Sequence, residues 1–333
     1  MTDPTDGDPA VELERELLGG ERKYTRFEVA EHAGVSVEQA RLLWRALGFA
    51  DVGDDNIAFT DRDVEALVAV QKLIGRGLID DTTQLAMTRA MGQSLARLAE
   101  WQVAALVDAM ARDESLAEES ARDAAEDLVP LLEGLIGFVW RRHLAATANR
   151  VLAHADDVDA PQMAVGFADL VGFTSLTRQA EEEDLAHLVD RFEAIATDVI
   201  AEQGGRVIKT VGDEVMFAAD DAATAAEIAL QLIERVDDDP GLPDLRVGVA
   251  CGTVLPRLGD IFGEPVNIAS RLTSFARPGS ALVDREMAGA LEGDERFRLR
   301  RVPPRPVRGY ALLQGMRLRR ADPQATGGEA GGV

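Results

Sequence analysis

Two short apolar segments, each running into an aspartate with a glycine close by, constrain the fold of this chain most strongly. The first is residues 167–174 (FADLVGFT), and the second is residues 209–214 (KTVGDE). Short apolar runs bounded by turn residues are typical of buried strands. A sheet that pairs these strands side by side would bring Asp169 and Asp213 together at one edge.

These two carboxylates predict a metal site. Mg²⁺ takes hard oxygen ligands, usually one or two protein carboxylates, and completes its octahedron with water and phosphate. A lone aspartate at a strand end is more often a cap or a turn former, but a pair in apolar surroundings favours the metal. The backbone N–H groups of Gly172, Phe173 and Thr174 follow Asp169 and are placed to hold phosphate oxygens.

A third cluster, residues 260–271 (DIFGEPVNIASR), predicts a helix with a polar face. Pro265 suits the first turn of a helix, and Asn267 and Arg271, four residues apart, project from one side. An exposed polar face is the simpler interpretation. Because most other positions of this helix are apolar, we expect Asn267 and Arg271 to face a site instead.

The length of 333 residues predicts two domains of ordinary size. We expect a disordered N-terminus at residues 1–13, a helical domain at 14–155, a second domain at 156–321 and a disordered tail at 322–333. The boundary between the two domains is marked by the acidic, proline-containing segment 156–161 (DDVDAP).

Strands alternate with helices in the second domain, which predicts an α+β fold. We expect a mixed sheet with helices on one face and one last strand over residues 310–318. In the helical domain, residues 82–149 carry apolar positions at helical spacing. This pattern predicts several helices packed as a bundle, the final one running from Leu135 to about Leu152.

Residues 24–75 predict a helix, a turn at Gly34 and a second helix capped by Ser36, which is helix-turn-helix spacing. This segment resembles the DNA-binding head of MerR-type regulators. Its basic residues are nearly balanced by acidic ones, and the whole chain has a formal net charge of −24. A surface that binds nucleic acid needs a local excess of positive charge. We therefore expect a helical module used for protein contacts and no nucleic-acid partner.

The three clusters together carry a more specific resemblance over about residues 162–318. FADLVGFT, KTVGD and residues 260–271 are similar, in order and spacing, to the signature blocks of class III nucleotide cyclase catalytic domains. The resemblance implies a ferredoxin-like βαββαβ core. It also implies that the preceding helical domain is similar to the regulatory domain of some actinobacterial cyclases, with pH, a lipid or a small molecule as input.

The resemblance further implies two metal ions, Mg²⁺ or Mn²⁺, in each active site. Asp169, Asp213 and the backbone carbonyl of Leu170 would bind them. In this family the catalytic domains work as head-to-tail dimers with active sites at the interface, which implies a homodimer here. The metal ligands would come from one protomer and the remaining groups from its partner.

Those remaining groups would bind ATP. By the resemblance, Lys209 and Asp260 would contact the adenine edge, Asn267 would orient the ribose, and Arg271 would stabilise charge on the α-phosphate. Arg308 would hold the terminal phosphates. A lysine donor and an aspartate acceptor complement adenine, whereas guanine presents the reversed pattern of donors and acceptors, so ATP is the expected substrate.

The expected function is therefore adenylate cyclase activity, regulated by the N-terminal domain. The alternative is a nucleotide-sensing transcription regulator with a helix-turn-helix head. The N-terminus (MTDPTDGD) lacks the features of a secretion signal. The longest apolar segment, residues 128–140, is shorter than the roughly 20 residues that a membrane-spanning helix needs. We expect a cytoplasmic protein without a transmembrane segment.

Overall fold

The computed structural model describes residues 9–75, 80–112, 121–153, 162–178, 180–257 and 259–321. The chain divides into two compact units, residues 1–156 and residues 157–333. The predicted tail at 322–333 lies outside the described residues, and so do residues 1–8 of the predicted disordered N-terminus.

The first unit is helical, as the sequence predicts. Its described helices are α1 (Pro9–Leu18), α2 (Arg26–Ala33), α3 (Val37–Leu47), α4 (Asp61–Gly75), α5 (Asp81–Arg112) and α6 (Ala121–Ala153). The prediction of disorder is wrong from Pro9 onward. Proline at the first position suits a helix start, and α1 packs against α6, a tertiary contact that the acidic local sequence did not reveal.

The segment from α2 to α4 has strong local signals. Thr25 and Ser36 each form a capping box at the start of α2 and α3, respectively. Gly34 ends α2 in the left-handed conformation, with φ of 70°, which allows the chain to turn into α3. Val29, Leu43 and Phe59 form a small core between these helices. The predicted helix, the turn at Gly34 and the second helix capped by Ser36 are present, while the MerR-like helix-turn-helix assignment stays a prediction.

The later part of the first unit is simpler than the bundle of several helices that the sequence predicts. Residues 81–112 form one helix, α5, and residues 121–153 form another, α6. The predicted final helix from Leu135 is thus only the second half of α6. Pro130 lies inside α6 without ending it, because a proline removes one intrahelical hydrogen bond and a helix of 33 residues keeps the others.

The second unit combines strands and helices, which confirms the α+β class. Its strands are β1 (Gln162–Leu170), β2 (Arg206–Val211), β3 (Glu214–Ala219), β4 (Leu245–Thr253), β5 (Leu255–Arg257), β6 (Asp260–Phe262), β7 (Ser280–Val283), β8 (Phe297–Arg301), β9 (Arg305–Val307), β10 (Tyr310–Leu313) and β11 (Met316–Arg320). Its helices are α7 (Phe173–Leu176), α8 (Glu182–Glu202), α9 (Ala222–Asp237), α10 (Glu264–Phe275) and α11 (Arg285–Ala290).

Seven strands form one mixed sheet in the order β2-β3-β1-β4-β7-β11-β8. Within the group β2-β3-β1-β4, each strand is antiparallel to the next. With α8 and α9, these four strands build the predicted βαββαβ arrangement. The next pair in the sheet, β4 and β7, is parallel. This order places the C-terminal end of β1 beside the start of β3. Asp169 and Asp213 therefore lie at the same end of two neighbouring inner strands of the sheet.

Helices cover both faces of the sheet, so the prediction of helices on one face is wrong. Helices α8 and α9 contribute Phe192 and Ile228 to a core with Phe217 of β3. On the other face, Ala269 of α10 packs with Phe167 of β1 and its neighbours. The alternation of side chains along a strand shows which residues share a face, but not which helix will cover that face.

The predicted last strand is two strands, β10 and β11. Gln314 and Gly315 leave the ladder between them, and the side-chain amide of Gln314 donates to the carbonyl of Val302 at 2.6 Å. Gly315 lies against Leu272 and Val302, and a Cβ there would be 3.1 Å from the side chain of Leu272. β10 therefore pairs with β9 in a separate hairpin, and only β11 joins the main sheet. Across the described parts of both units, every helix is too short or too polar to cross a lipid bilayer.

Candidate active site

Asp169 lies at the C-terminal end of β1, and Asp213 lies beside it in the turn that leads into β3. Asp169 is directly opposite Glu214 of β3 on one side and Arg246 of β4 on the other. The N–H of Leu170 donates to the carbonyl of Asp213 at 3.2 Å, which fixes the turn between β2 and β3 beside β1. The structure thus brings together the two aspartates that the sequence singles out.

Two acidic groups at this end of the sheet, Asp213 and Glu214, have pKa values above their ordinary values. Burial raises the pKa of Asp213 above its ordinary value, and the charge of Asp169 raises it further, although a backbone hydrogen bond and Arg246 oppose the shift. Burial also raises the pKa of Glu214, and the charges of Asp169 and Asp213 add to this effect. Partly buried like charges of this kind are relieved by a bound cation.

Arg246 is a site residue that the sequence analysis missed. Its guanidinium forms an ion pair with Asp169, and its Nε is buried without a hydrogen-bond partner among the described residues. The side chains of Arg246 and Asp169 are only 27% and 19% exposed. The available signal was a single charged residue at the start of an otherwise apolar strand, residues 245–251.

The turn after β1 exposes backbone to a ligand. Gly172 has a φ of 78° and nothing lies near the position of a Cβ, so this turn is open. The side chain of Phe173 is partly buried and packs against the core of the sheet. For Thr174, only the placement of its backbone at the start of α7 is described.

Lys209 and Asp260 form an ion pair between β2 and β6, with Nζ and Oδ2 2.6 Å apart. The N–H of Ile261 also donates to Asp260 at 2.8 Å. Burial tends to raise the pKa of Asp260, but these two hydrogen bonds outweigh it and hold the pKa below its ordinary value. The two groups expected to contact adenine are therefore neighbours in one chain, although 51 residues separate them in sequence.

Asn267 and Arg271 project from α10 on the side away from its buried residues. Ala269 and Leu272 are fully buried beneath them. Asn267 is exposed, and its Nδ2 donates to the carbonyl of Gly263 at 3.4 Å. Arg271 is half-buried, and its charge partly offsets the rise in the pKa of Tyr310 that burial and Glu264 produce.

Arg308 lies exposed in the turn between β9 and β10. Within the described part of the chain, no hydrogen bond or ion pair links it to another predicted site residue. The predicted residues thus form an Asp169–Asp213 pair, a Lys209–Asp260 pair and an Asn267–Arg271 face, with Arg308 apart. No described group of three or more histidine, cysteine or acidic side chains forms a further metal site.

The basic residues in and just before the helix-turn-helix segment, which the sequence offers for nucleic-acid binding, are all paired with carboxylates. All five basic residues between positions 21 and 45 make ion pairs with nearby carboxylates. They are Arg22, Lys23, Arg26, Arg41 and Arg45. Arg26 is the most buried of them, and it pairs with both Asp51 and Asp54. Each of these guanidinium and ammonium groups thus has a carboxylate of the same unit as its partner.

Comparison with known proteins identifies relatives for both units. Residues 157–318 match the family model described as the adenylate and guanylate cyclase catalytic domain, and residues 6–147 match the adenylate cyclase regulatory domain. An adenylate cyclase of Streptomyces coelicolor is 44% identical over 98% of this chain and 93% of its own length.

Two further relatives are also adenylate cyclases. One from Streptomyces griseus is 46% identical over 87% of this chain and 73% of its own length. The other, a pH-sensitive adenylate cyclase of Mycobacterium tuberculosis, is 35% identical over 98% of this chain and 85% of its own length. These relatives lend no support to the alternative of a transcription regulator.

Proposed function

Because this chain belongs to the class III adenylate cyclases, we propose that the site described above converts ATP into 3′,5′-cyclic AMP and pyrophosphate at a homodimer interface. The observation that carries the proposal is the Asp169–Asp213 pair at the end of β1 and β3. Burial and the charge of the neighbouring Asp169 raise the pKa of Asp213, and a carboxylate pair of this kind is suited to bind cations. The open turn at Gly172 leaves room for phosphates beside the pair.

The residues present fit two divalent cations, Mg²⁺ or Mn²⁺. Asp169, Asp213 and the carbonyl oxygen of Leu170 supply the hard oxygen ligands that these cations prefer. When bound, such cations would lower the pKa of the ribose 3′-hydroxyl and neutralise the triphosphate. In this structure Arg246 balances the charge of Asp169 through their ion pair.

The remaining roles belong to groups around the nucleotide. Lys209 donates to adenine N1, and Asp260 accepts from the 6-amino group. Their mutual ion pair holds both side chains in place before ATP arrives. Asn267 orients the ribose, and Arg271 stabilises the charge that grows on the α-phosphate as the 3′-oxygen attacks and pyrophosphate leaves. Arg308 holds the terminal phosphates.

The homodimer follows from the division of these groups. In a head-to-tail dimer, the aspartates of one protomer meet Lys209, Asn267 and Arg271 of its partner, so a single chain has no complete site. The helical unit offers a second contact surface for a copy of the chain. Met87, Met91 and Leu95 of α5 are exposed at helical spacing, and exposed apolar stripes of this kind mark protein contacts.

We assign regulation to the first unit, with pH, a lipid or a small molecule as its input. The match of residues 6–147 to a regulatory domain and the pH sensitivity named for the Mycobacterium tuberculosis relative support this assignment. The helix-turn-helix segment would serve protein contacts, since its basic residues are already paired.

Cyclase activity can be tested on the purified full-length chain. With ATP and either Mg²⁺ or Mn²⁺ we expect cyclic AMP and equimolar pyrophosphate, measured by chromatography at acidic and neutral pH. With GTP in place of ATP we expect much less cyclic product. Absence of cyclic AMP under all of these conditions would overturn the proposed reaction.

The shared site predicts complementation between inactive variants. Asp213→Ala and Arg271→Ala should each lower activity by at least about 100-fold, as losses of transition-state charge stabilisation do. A mixture of the two should regain activity, because one of the two interfacial sites in each heterodimer keeps both residues. The control is a mixture of Asp213→Ala with Asp169→Ala, which should stay inactive. Heterodimers that form without recovering activity would contradict the shared site.

A further inference from the structure

The second unit contains an arginine-lined cavity outside the proposed active site. It has a volume of about 260 Å³ and lies between the end of α10, the start of β7 and the strands β8, β9 and β11. Five arginines line it: Arg277, Arg300, Arg301, Arg305 and Arg317. No acidic side chain is among its described lining residues.

One pair of the cavity arginines lies directly opposite across β11 and β8, and a second arginine pair of the same two strands lies next to it. Arg317 of β11 is opposite Arg300 of β8, and Arg319 is opposite Arg298 one step further along the same face. Like charges directly opposite each other destabilise a sheet. The fold therefore places positive charge here at an energetic cost.

The cavity arginines lack counter-ions in the chain itself. Among the described residues, none of the five lies within ion-pair distance of a carboxylate, although acidic residues outnumber basic ones by 59 to 35 in the sequence. Arg317 is the most constrained of them. Burial lowers its pKa, and the charges of Arg319, Arg277 and Arg300 lower it further.

The position of this cluster separates it from the aspartate pair. Arg317 is opposite Leu282 of β7, whose side chain packs with Leu272 and Ala276 of α10. The cavity therefore opens on the α10 face of the sheet. β11 is three strands away from β1, which corresponds to about 14 Å at the usual strand spacing.

From these observations we infer that the cavity is a binding site for a compact polyphosphate anion, distinct from the catalytic site. Guanidinium groups bind phosphate oxygens in a bidentate manner and remain charged even when crowded. The strong negative charge of the rest of the chain disfavours a long polyanion, because its ends would extend over repelling surface. A small phosphate-rich ligand, or the headgroup of a phospholipid, instead neutralises the arginines within the cavity.

The ligand class is tested by titrating full-length protein with inorganic tripolyphosphate in EDTA. Removing divalent cations weakens binding at the proposed catalytic site but not in the cavity. We expect saturable binding that Arg300→Gln and Arg317→Gln each weaken at least tenfold. Arg285→Gln removes an exposed arginine of α11 outside the cavity and should leave the affinity within twofold. The Asp169→Asn, Asp213→Asn double variant should bind tripolyphosphate as the wild type does.

Thermal denaturation adds a readout that a purely structural role would not produce. Without ligand, Arg317→Gln should unfold at a higher temperature than the wild type, because it removes a repelled charge. With tripolyphosphate, the wild type should gain stability and the variant should gain little. A loss of ligand-free stability in both Arg300→Gln and Arg317→Gln would overturn the inference.

A parallel titration with vesicles containing phosphatidic acid distinguishes the source of the phosphate. If the protein binds the vesicles, if Arg317→Gln abolishes this binding, and if tripolyphosphate binds only weakly, the ligand is a lipid headgroup. Stronger binding of tripolyphosphate identifies a free anion. The proposed site would be overturned if neither tripolyphosphate nor the vesicles bind in EDTA. It would also be overturned if Arg285→Gln weakens binding as much as the cavity variants do.

Discussion

At the scale of single residues, the proposed active site is a point of concentrated negative charge. Asp169, Asp213 and Glu214 crowd one edge of the sheet, and Arg246 compensates only part of their charge. The folded state raises the pKa values of Asp213 and Glu214, so it binds their protons more tightly than the unfolded chain does. Their contribution to stability is therefore present below the unfolded pKa values and is lost as the pH rises through the folded ones.

This sign predicts the effect of Asp213→Asn on stability. In the absence of divalent cations, the variant should melt at a higher temperature than the wild type at neutral pH, because a repelled charge has been removed. The difference should shrink at acidic pH and vanish below about pH 3, roughly one unit under the ordinary aspartate pKa of about 3.9, where aspartate is protonated in the unfolded chain too. Thermal denaturation across pH measures it, together with the stabilisation that added Mn²⁺ gives.

Asp198→Asn is a suitable control, because Asp198 is exposed on α8. It should change neither the melting temperature nor its response to Mn²⁺. The charge argument would be contradicted if, at neutral pH without metal, the wild type melts at a higher temperature than Asp213→Asn. This outcome does not depend on the activity of the variant.

At the scale of elements, the packing of α10 on the sheet positions Asn267 and Arg271. Gly248 of β4 makes this packing close, since a Cβ there would lie 2.4 Å from the backbone of both Ala269 and Thr273. The hydroxyl of Thr273 in turn donates to the carbonyl of Phe167 at 3.2 Å. The helix that carries Arg271 is thus seated directly on the strand that carries Asp169.

Gly248→Ala should therefore displace Asn267 and Arg271 without changing any residue of the proposed site. The methyl group must push α10 away from β4, which we expect to cost about 1–3 kcal/mol of unfolding free energy, the usual cost of overpacking. A displacement of about 1 Å in positioned groups can lower the rate by about 100-fold. We therefore expect a large loss of activity in a variant that is still folded. Denaturant unfolding and steady-state kinetics measure the two effects.

Gly289→Ala is the matched control on α11. No atom lies near the position of its Cβ, and alanine favours a helix by up to about 1 kcal/mol over glycine. This variant should be as stable as the wild type or more so, with unchanged activity. Full activity in Gly248→Ala would contradict the positioning role of the α10 packing.

The elements around the site differ in how far the sequence predicted them. The strands with Asp169 and Asp213 and the helix with Arg271 have local patterns, and all three were predicted. The ion pair between Arg246 and Asp169 was not predicted, because it joins residues 77 positions apart and depends on strand order. The covering of the second face by α10 was missed for the same reason. Tertiary contacts of this kind leave no mark on local periodicity.

At the scale of the whole molecule, the two units distribute their charge differently. In the first unit, the five basic residues between positions 21 and 45 are paired with nearby carboxylates. In the second unit, the arginines of the cavity have no such partners among the described residues. A chain with a net charge of −24 thus holds a cluster of unpaired positive charge in the cavity.

Removal of residues 1–155 tests regulation at this scale. Coupling between sites is typically worth about 1–3 kcal/mol, or roughly 5- to 150-fold, so the specific activity should change by at least about fivefold. The change of activity between pH 5.5 and pH 8, chosen as about one unit on either side of histidine titration, should also become smaller. Unchanged activity and an unchanged pH profile in a well-folded, dimeric truncation would leave the first unit without a regulatory role.

The order of the seven strands has a consequence for how copies of this chain can associate. β2 and β8 are the two edges of the main sheet, and an open edge invites strand pairing with another molecule. Both edges carry basic side chains, Arg206 and Lys209 on β2 and Arg298 and Arg300 on β8. Joining two β8 edges would bring like charges into register, whereas Arg206 and Lys209 on β2 are already paired with Asp220 and Asp260. The β8 edge therefore resists growth into continuous sheets and fibres.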